Sequence, residues 1–454
     1  MKTIITAWDI ENARANCKKE IVVEDAIITE MAKDLAEKLN IKIITKGFDE
    51  KLTNKYYDSE KSFDEQSRYT YKDLKITEEI ALKWKEEFPI LKDIIHVGNC
   101  SQGPQAKRVR KAIENYLDNW LTVGMDWDYW VQETIKAKEE FAKLINAEPS
   151  EIAISTSVSE ATASVASALN PHINKKKIVT TEADFPTIGH IWLAHQKYGY
   201  KVEFVPVRNG EIDINDYEKY IDNDTILTSI THVYYQNGFK QDIEKIAEIA
   251  HRKGSMVYVD AYQSMGTVHI DVKKMKIDML SSGNLKYLLG IPGIAFLYIS
   301  KEVLPYLKPA VTGWFGQENP FSFQIRYLDY AGDARRFDTG TPPVLTSFAA
   351  RAGMQIINEV GTQNIQERIE MLSKHTINGA LERGLDLASP LDPKKKGSTT
   401  SIKVNDPHHV EELLKERKII ASARGNVIRI APHFFTTKND IDIVLDELKT
   451  IVTR

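Results

Sequence analysis

The chain has 454 residues, 42% hydrophobic and 27% charged, and its 60 Lys and Arg against 64 Asp and Glu leave a formal charge of −4. That length exceeds what one simple core needs, so two or three domains are expected, and the balanced charge lacks the basic surplus of nucleic-acid binders. No apolar run reaches the roughly 20 residues of a membrane helix, the N-terminus lacks the apolar core of a signal peptide, and two cysteines, Cys17 and Cys100, cannot build a disulfide framework. The expectation is a cytoplasmic protein with neither nucleic-acid nor membrane partners. The basic runs 175–177 and 394–396 read as solvated surface.

Residues 1–48 read as a small β/α appendage. Residues 19–23 and 41–45 are strand-like, and 26–39 place Ile27, Ile28, Met31, Leu35 and Leu39 at helical spacing. So short a piece buries little alone and is expected to pack on the enzyme itself or its dimer mate, or else to dock on a partner. The order Lys18-Lys19-Glu20-Ile21, a helix, then an apolar strand is similar to segments that precede some bacterial microcompartment-associated proteins. Residues 49–75, polar and dotted with tyrosines, read as a linker.

Residues 76–110 are assigned to an arm and the N-terminal part of a small domain. They hold a helix over 77–88, ended by Pro89, and an apolar run over 94–103 that breaks into a glycine turn. An amphipathic helix follows, with Val109, Ala112, Ile113, Tyr116, Leu117 and Trp120 on one face, then another over 131–145. From residue 151 the chain alternates. Strand-like runs fall at 152–155, 177–181, 201–205, 226–233, 256–259 and 294–299, with helices between most of them, such as 242–252. This predicts an α/β large domain over 111–345, built on a mainly parallel sheet covered on both faces. Ligands of such sheets sit beyond the carboxyl ends of the strands, where residues 155–159, His232 and Asp260 fall. The remainder, 346–454, reads as an α+β small domain: helices at 347–359 and 365–383, strands at 398–404 and 427–430, and a helix at 440–452.

Residues 256–300 carry the most chemistry. Asp260 ends a strand, Gln263 follows three residues later, and Lys286 sits in the turn Gly283-Asn284-Leu285-Lys286-Tyr287 before Gly290 and Gly293. A lysine able to form a Schiff base and a carboxylate able to keep a pyridine nitrogen protonated are what a pyridoxal 5′-phosphate (PLP) site needs. Taken singly, Asp260 reads better as a cap, and Lys286 as a surface lysine, though a turn just before an apolar strand is a poor place for an idle charge. Upstream, Ser157, Val158 and Ser159 open an Ala/Ser-rich helix whose free N–H groups suit a phosphate, or else Ser157 or Ser159 is a plain N-cap. Phe185 in Glu182-Ala183-Asp184-Phe185-Pro186-Thr187 lies flat on an aromatic cofactor or is a core residue before a proline turn. Arg424 and Arg429 offer a fork for a substrate carboxylate, or else a structural ion pair. No metal site is expected.

In this order the pieces resemble the class V aminotransferase group of fold-type I PLP-dependent transferases over roughly residues 94–450. The motifs Lys286-Tyr287-Leu288, Gly313-Trp314-Phe315-Gly316, Gly340-Thr341-Pro342-Pro343 and Ile428-Arg429-Ile430-Ala431-Pro432 look most like kynureninase. The group also holds cysteine desulfurases and isopenicillin N epimerase-like proteins. The resemblance implies PLP as cofactor, a free α-amino acid as substrate and a homodimer with shared active sites. It further implies that Lys286 carries the cofactor and removes the α-proton, and that Asp260 pairs with the ring nitrogen. Gln263 would lie near the ring oxygen and Phe185 on the ring. Ser157, Val158, Ser159, Ser282 and Thr341 would belong to the cofactor site, with Trp314 reaching the neighbouring subunit. Arg429, ahead of Arg424, would take the carboxylate. Three departures stand out: Leu285 where kynureninases place a tyrosine, Gln317 where a histidine is expected, and no cysteine between Leu391 and Arg429, where cysteine desulfurases carry their mobile one. The expected reaction is a lyase cleavage of a C–S or C–C bond at the β-carbon, with transamination or epimerisation as the alternative and a non-catalytic scaffold as the rival of another class.

Overall fold

The computed structural model describes residues 3–5, 7–16, 18–24, 26–28, 30–46, 75–170 and 175–453. The expected linker, apart from Lys75, and Cys17 lie outside the described residues. Contacts divide the chain into two units, one of the described residues up to Lys46 with 123–132, the other of residues 75–122 and 133–453.

In the first unit β1 (Thr3–Ile5) pairs in parallel with β3 (Ala26–Ile28), and β2 (Glu20–Glu24) with β4 (Lys42–Lys46). Helices Ala7–Ala15 and Glu30–Lys38 complete it, and Ile5, Ile10, Ala13, Val23, Ala32, Ala36 and Ile41 form its core. The helix expected over 26–39 therefore begins only at Glu30. Ile27 and Ile28 are β-branched, which favours the extended backbone, and they pair with Ile4 and Ile5.

The second unit is built on a seven-stranded sheet. After β5 (Ile95–His96), its strands are β6 (Ile152–Ser155), β7 (Lys177–Thr181), β8 (Lys201–Val205), β9 (Thr225–Thr231), β10 (Met256–Asp260), β11 (Met279–Gly283) and β12 (Ala295–Ile299). Their spatial order is β6-β12-β11-β10-β9-β7-β8, parallel throughout except for β12, which runs against both neighbours. Both faces are buried, and alternate residues go to different cores. Ile152, Ile154, Phe296 and Tyr298 join one cluster, while Ala153, Ala295, Leu297 and Ile299 join the other. That two-sided burial is why the strands read as unbroken apolar runs. β11 escaped the sequence reading because Ser281, Ser282 and Gly283 have weak strand propensity; full burial between β10 and β12 overrides it.

A second, antiparallel sheet has the order β13-β16-β15, from β13 (Thr400–Lys403), β15 (Ser422–Arg424) and β16 (Val427–Ile430). Helices Thr362–Glu382, Pro407–Glu416 and Lys438–Val452 cover it, burying Leu372, Leu414, Ile428, Ile430, Val444 and Leu448 together. β14 (Ile419–Ile420) pairs in parallel with β5, so the segment around residue 96 is tied to this layer. The two basic runs are not uniformly solvated. Lys177 is buried against Asp222 and the Tyr220 carbonyl, and Lys396 is buried with its Nζ on Ser373 Oγ and the Gly397 carbonyl.

Candidate active site

Topology brings the chemistry-bearing residues to one end of the large sheet. β10 and β11 are parallel neighbours with Asp260 opposite Ser281, so Asp260 and the turn after Gly283 emerge at the same carboxyl edge. The turn is tightly seated. A Cβ on Gly283 would fall 2.2 Å from the Tyr262 ring, and one on Gly103 would fall 2.6 Å from the Lys286 carbonyl oxygen. Leu289, three residues past Lys286, has φ +61°, a left-handed conformation unfavourable for a bulky side chain. Such strain persists only where the surroundings enforce it, and it often marks a functional turn.

Lys286 Nζ lies 4.1 Å from the Tyr262 ring centroid and 5.9 Å from that of Phe185. It has no hydrogen bond or ion pair among the described residues. Burial pushes its ammonium down to about 8; the Asp260 carboxylate opposes that shift, and Arg429 and Arg424 add to it. Asp260 is itself buried, which raises its carboxyl above the usual range, against the Tyr262 N–H that donates to Oδ1 at 2.9 Å and the Lys286 charge. Its main-chain oxygen accepts the N–H of His232 at 2.9 Å.

Phe185 is no core residue: it is exposed, with Tyr235 edge-on at 5.2 Å between ring centroids. Gln263 is buried, and its Nε2 already donates to the Cys100 carbonyl at 3.0 Å, leaving Oε1 without a partner. Ser157 is the N-cap of the helix Val158–Ala168, its hydroxyl accepting from Glu160 N at 3.1 Å. Ser159 Oγ meets Thr187 Oγ1 at 2.8 Å, and Val158 is buried. The carboxylate of Glu160 turns back onto the Thr156 N–H at 2.7 Å. Ser282 is buried and donates to the Gly283 carbonyl at 3.0 Å. Trp314 packs among Phe315, Phe321 and Phe323, and Thr341 is exposed.

Arg429 resolves the choice between clamp and ion pair in an unexpected way. Its Nη1 donates to the Tyr235 carbonyl at 2.9 Å, and its Nη2 to Ser101 Oγ at 2.9 Å and Ser422 Oγ at 2.6 Å. The residue is 1% exposed, Nε has no partner, and no carboxylate pairs with it among the described residues. A buried guanidinium held only by neutral oxygens is costly until an anion arrives.

Several participants were not singled out beforehand. Tyr262, two residues past Asp260, supplies the ring face over Lys286. Asp184 ends the segment after β7 fully buried. Its Oδ2 accepts from Thr180 Oγ1, Thr181 Oγ1 and Thr181 N at 2.9 Å each, its Oδ1 has no partner, and burial pushes it up to about 7. Asn284, two residues before Lys286, is buried with neither amide atom bonded. These unfilled polar atoms, beside an unpaired amine and a buried carboxylate, fit a bound heteroaromatic cofactor such as PLP.

The model of the class-V aminotransferase family matches residues 104–440, and the chain belongs to that family. Its cofactor is PLP, and it is an enzyme. It is 42% identical to the uncharacterized aminotransferase YcbU of Bacillus subtilis (strain 168) over 82% of this chain and 99% of that protein. It is also 27% identical to a probable cysteine desulfurase of Pyrococcus abyssi (strain GE5 / Orsay), over 81% of this chain and 96% of that one. A kynureninase of Geobacillus thermodenitrificans (strain NG80-2) matches at 25% identity, over 81% and 91%. Among solved structures, the cysteine desulfurase of Thermococcus onnurineus NA1 superposes with a TM-score of 0.75 at 24% identity, covering 84% of this chain and 99% of that one. The cystine C–S lyase C-DES superposes at 0.74 and 20% identity, covering 80% and 99%. These two likenesses carry the fold.

Proposed function

We propose that the protein is a lyase that cleaves a C–S or C–C bond at the β-carbon of a free α-amino acid. The observation that carries this reading is the meeting of an unpaired amine (Lys286) and a buried carboxylate (Asp260) at the carboxyl edge of the large sheet with an arginine of the small sheet (Arg429) that no carboxylate pairs among the described residues. Bound PLP supplies an electron sink for bonds broken at the α-carbon.

The rest is work for the chain's own residues. Arg429, braced by Tyr235, Ser101 and Ser422, holds the α-carboxylate with the N–H groups these leave free, on Nε and Nη1. That grip turns the α-hydrogen toward Lys286. Nζ, depressed to about 8 by burial, loses its proton far more readily than a free lysine, and as the neutral amine it accepts the α-proton and returns one later. Asp260 holds a proton on the ring nitrogen. Phe185 and Tyr262 flank the amine. Names among the relatives, cysteine desulfurase, kynureninase and cystine C–S lyase, support cleavage at the side chain. Cys100 is buried, its carbonyl held by Gln263, which makes it a poor acceptor for a persulfide.

A homodimer in the cytoplasm is part of the reading. Phe323, Ile325 and Tyr327 project as a large exposed apolar loop next to Trp314, the residue assigned to the neighbouring subunit's site. Transamination is the second reading, favoured by the similarity to YcbU. To separate them, the PLP-loaded protein is incubated with cysteine, kynurenine and alanine. Sulfide with pyruvate, or anthranilate, supports the lyase. Keto acid formed only when a second keto acid is added sinks it in favour of transamination.

A further inference from the structure

The small-domain hairpin presents two arginines to the same side. In β15, Ala423 turns into the small-domain core, while Ser422 turns the other way, its hydroxyl on Arg429 Nη2 and 2.7 Å from Ser101 Oγ. Side chains alternate along a strand, so Arg424 shares the face of Ser422. The register agrees: Arg424 stands opposite Val427, and Arg429 lies two residues further along β16 on that face. Such diagonal neighbours have Cα atoms about 7–8 Å apart. The hairpin closes on the large domain, because a Cβ on Gly425 would fall 3.3 Å from Gln236 Nε2, and Gln236 Oε1 accepts from Tyr234 OH at 2.7 Å. Gln236 directly follows Tyr235, whose carbonyl braces Arg429.

Arg424 is exposed and has no hydrogen bond or ion pair among the described residues. It is close enough to Lys286 to help depress its amine, as Arg429 is. Arg429 takes one α-carboxylate, and Arg424, on the same face of the hairpin and without a partner among the described residues, offers a second cation beside it.

We propose that the substrate is an α-amino acid whose short side chain ends in a second anion, a carboxylate or sulfur oxyacid, with Arg429 taking the α-carboxylate and Arg424 the side-chain anion. This rests on the assignment of Arg429 and Lys286 above. A lone carboxylate on a forked arginine is worth enough to separate acidic from neutral side chains by about tenfold or more.

The test titrates the PLP-loaded enzyme with L-aspartate, L-glutamate and L-cysteine sulfinate against L-alanine and L-norvaline. Binding is followed by the change in the cofactor's visible band and, independently, by calorimetry. The acidic amino acids are expected to bind at least about tenfold more tightly than the neutral ones. R424Q is expected to bring that ratio near one, and R424K to keep part of it. Comparing the carboxylates with the sulfinate tells which anion is preferred. Equal affinity for acidic and neutral amino acids in the unaltered enzyme overturns the proposal, and so does a ratio unchanged in R424Q. If a variant fails to fold, the ratio in the unaltered enzyme still decides. A band that responds to none of the five amino acids sinks the underlying site assignment as well, which sets that failure apart.

Discussion

The guanidinium of Arg429 is anchored on the carbonyl oxygen of Tyr235, 2.9 Å from Nη1, and on no carboxylate among the described residues. Neutral acceptors fix the fork without neutralising it, so most of the charge is available to a ligand. Replacing Arg429 with Gln should weaken binding of any α-amino acid by about 10- to 100-fold, the worth of a charge-assisted hydrogen bond. Lysine should recover little, because an ammonium cannot span both oxygens. Amines lacking the carboxylate are the control. Titration of the cofactor band should show their affinity unchanged in R429Q, and an equal loss for amine and amino acid would reduce Arg429 to a structural role.

Lys286 gives a pH dependence with a definite sign. Its amine titrates near 8 in the folded chain, chiefly through burial, against about 10.4 for a free lysine. Between those values the folded apoprotein binds fewer protons than the unfolded chain, so its stability rises with pH across that window and is flat below it. Only the neutral amine attacks the PLP aldehyde. The rate at which apoprotein regains the visible band should therefore climb through about pH 8 and then level. A rate still rising at pH 10 would show that the amine is not depressed. Lys286→Ala should give a colourless protein.

Much of this site was legible in the sequence because its residues sit where backbone geometry changes. Asp260 ends an apolar strand, Lys286 lies in a glycine-flanked turn, and Arg429 interrupts an apolar strand. Each breaks a local pattern, and broken patterns mark function. What stayed hidden depends on long-range pairing. Tyr262 became a wall of the site only because Gly283 leaves room for its ring. The strand around Ser281 and Ser282 is held by its neighbours and not by its propensity. Ser101 and Tyr235 reach Arg429 across 328 and 194 residues of chain, a juxtaposition no local spacing encodes. Asp184 sits inside a recognised motif, yet its burial and its three hydrogen bonds on one oxygen follow only from the fold.

Asp184 makes a stability prediction separable from catalysis. Its carboxyl is pushed up to about 7 by burial, with the nearby Asp260 adding to the shift, against about 3.9 when unfolded. The folded state then holds a proton that the unfolded state has lost between about pH 4 and 7. Stability falls as pH rises through that interval and is level above it. Asp184→Asn keeps an oxygen for the Thr180 and Thr181 donors and cannot ionise. Thermal unfolding of D184N should lose the downward slope over pH 4–7, leaving the variant more stable than the parent at pH 8 by an amount on the order of a few kcal/mol. A slope that survives the substitution would place the titration elsewhere.

The exposed loop after Trp314 is where the proposed assembly would meet the proposed activity. Ile325 is 96% exposed, and Phe323 and Tyr327 beside it are largely uncovered. Leaving such side chains in water forgoes about 1.5–3 kcal/mol each relative to burying them. A second copy of the chain is the proposed cover, and Trp314, stacked on Phe323 in the same cluster, would then be carried toward the partner's site. Ile325→Asp puts a charge at the centre of that contact while leaving the sheet, Lys286 and Arg429 untouched. Sedimentation should show the dimer shifting to monomer, with PLP released more readily in proportion. Monomers that retain PLP and full turnover would separate assembly from catalysis and return Trp314 to a local packing role. A dimer unaffected by I325D would place the interface on another face.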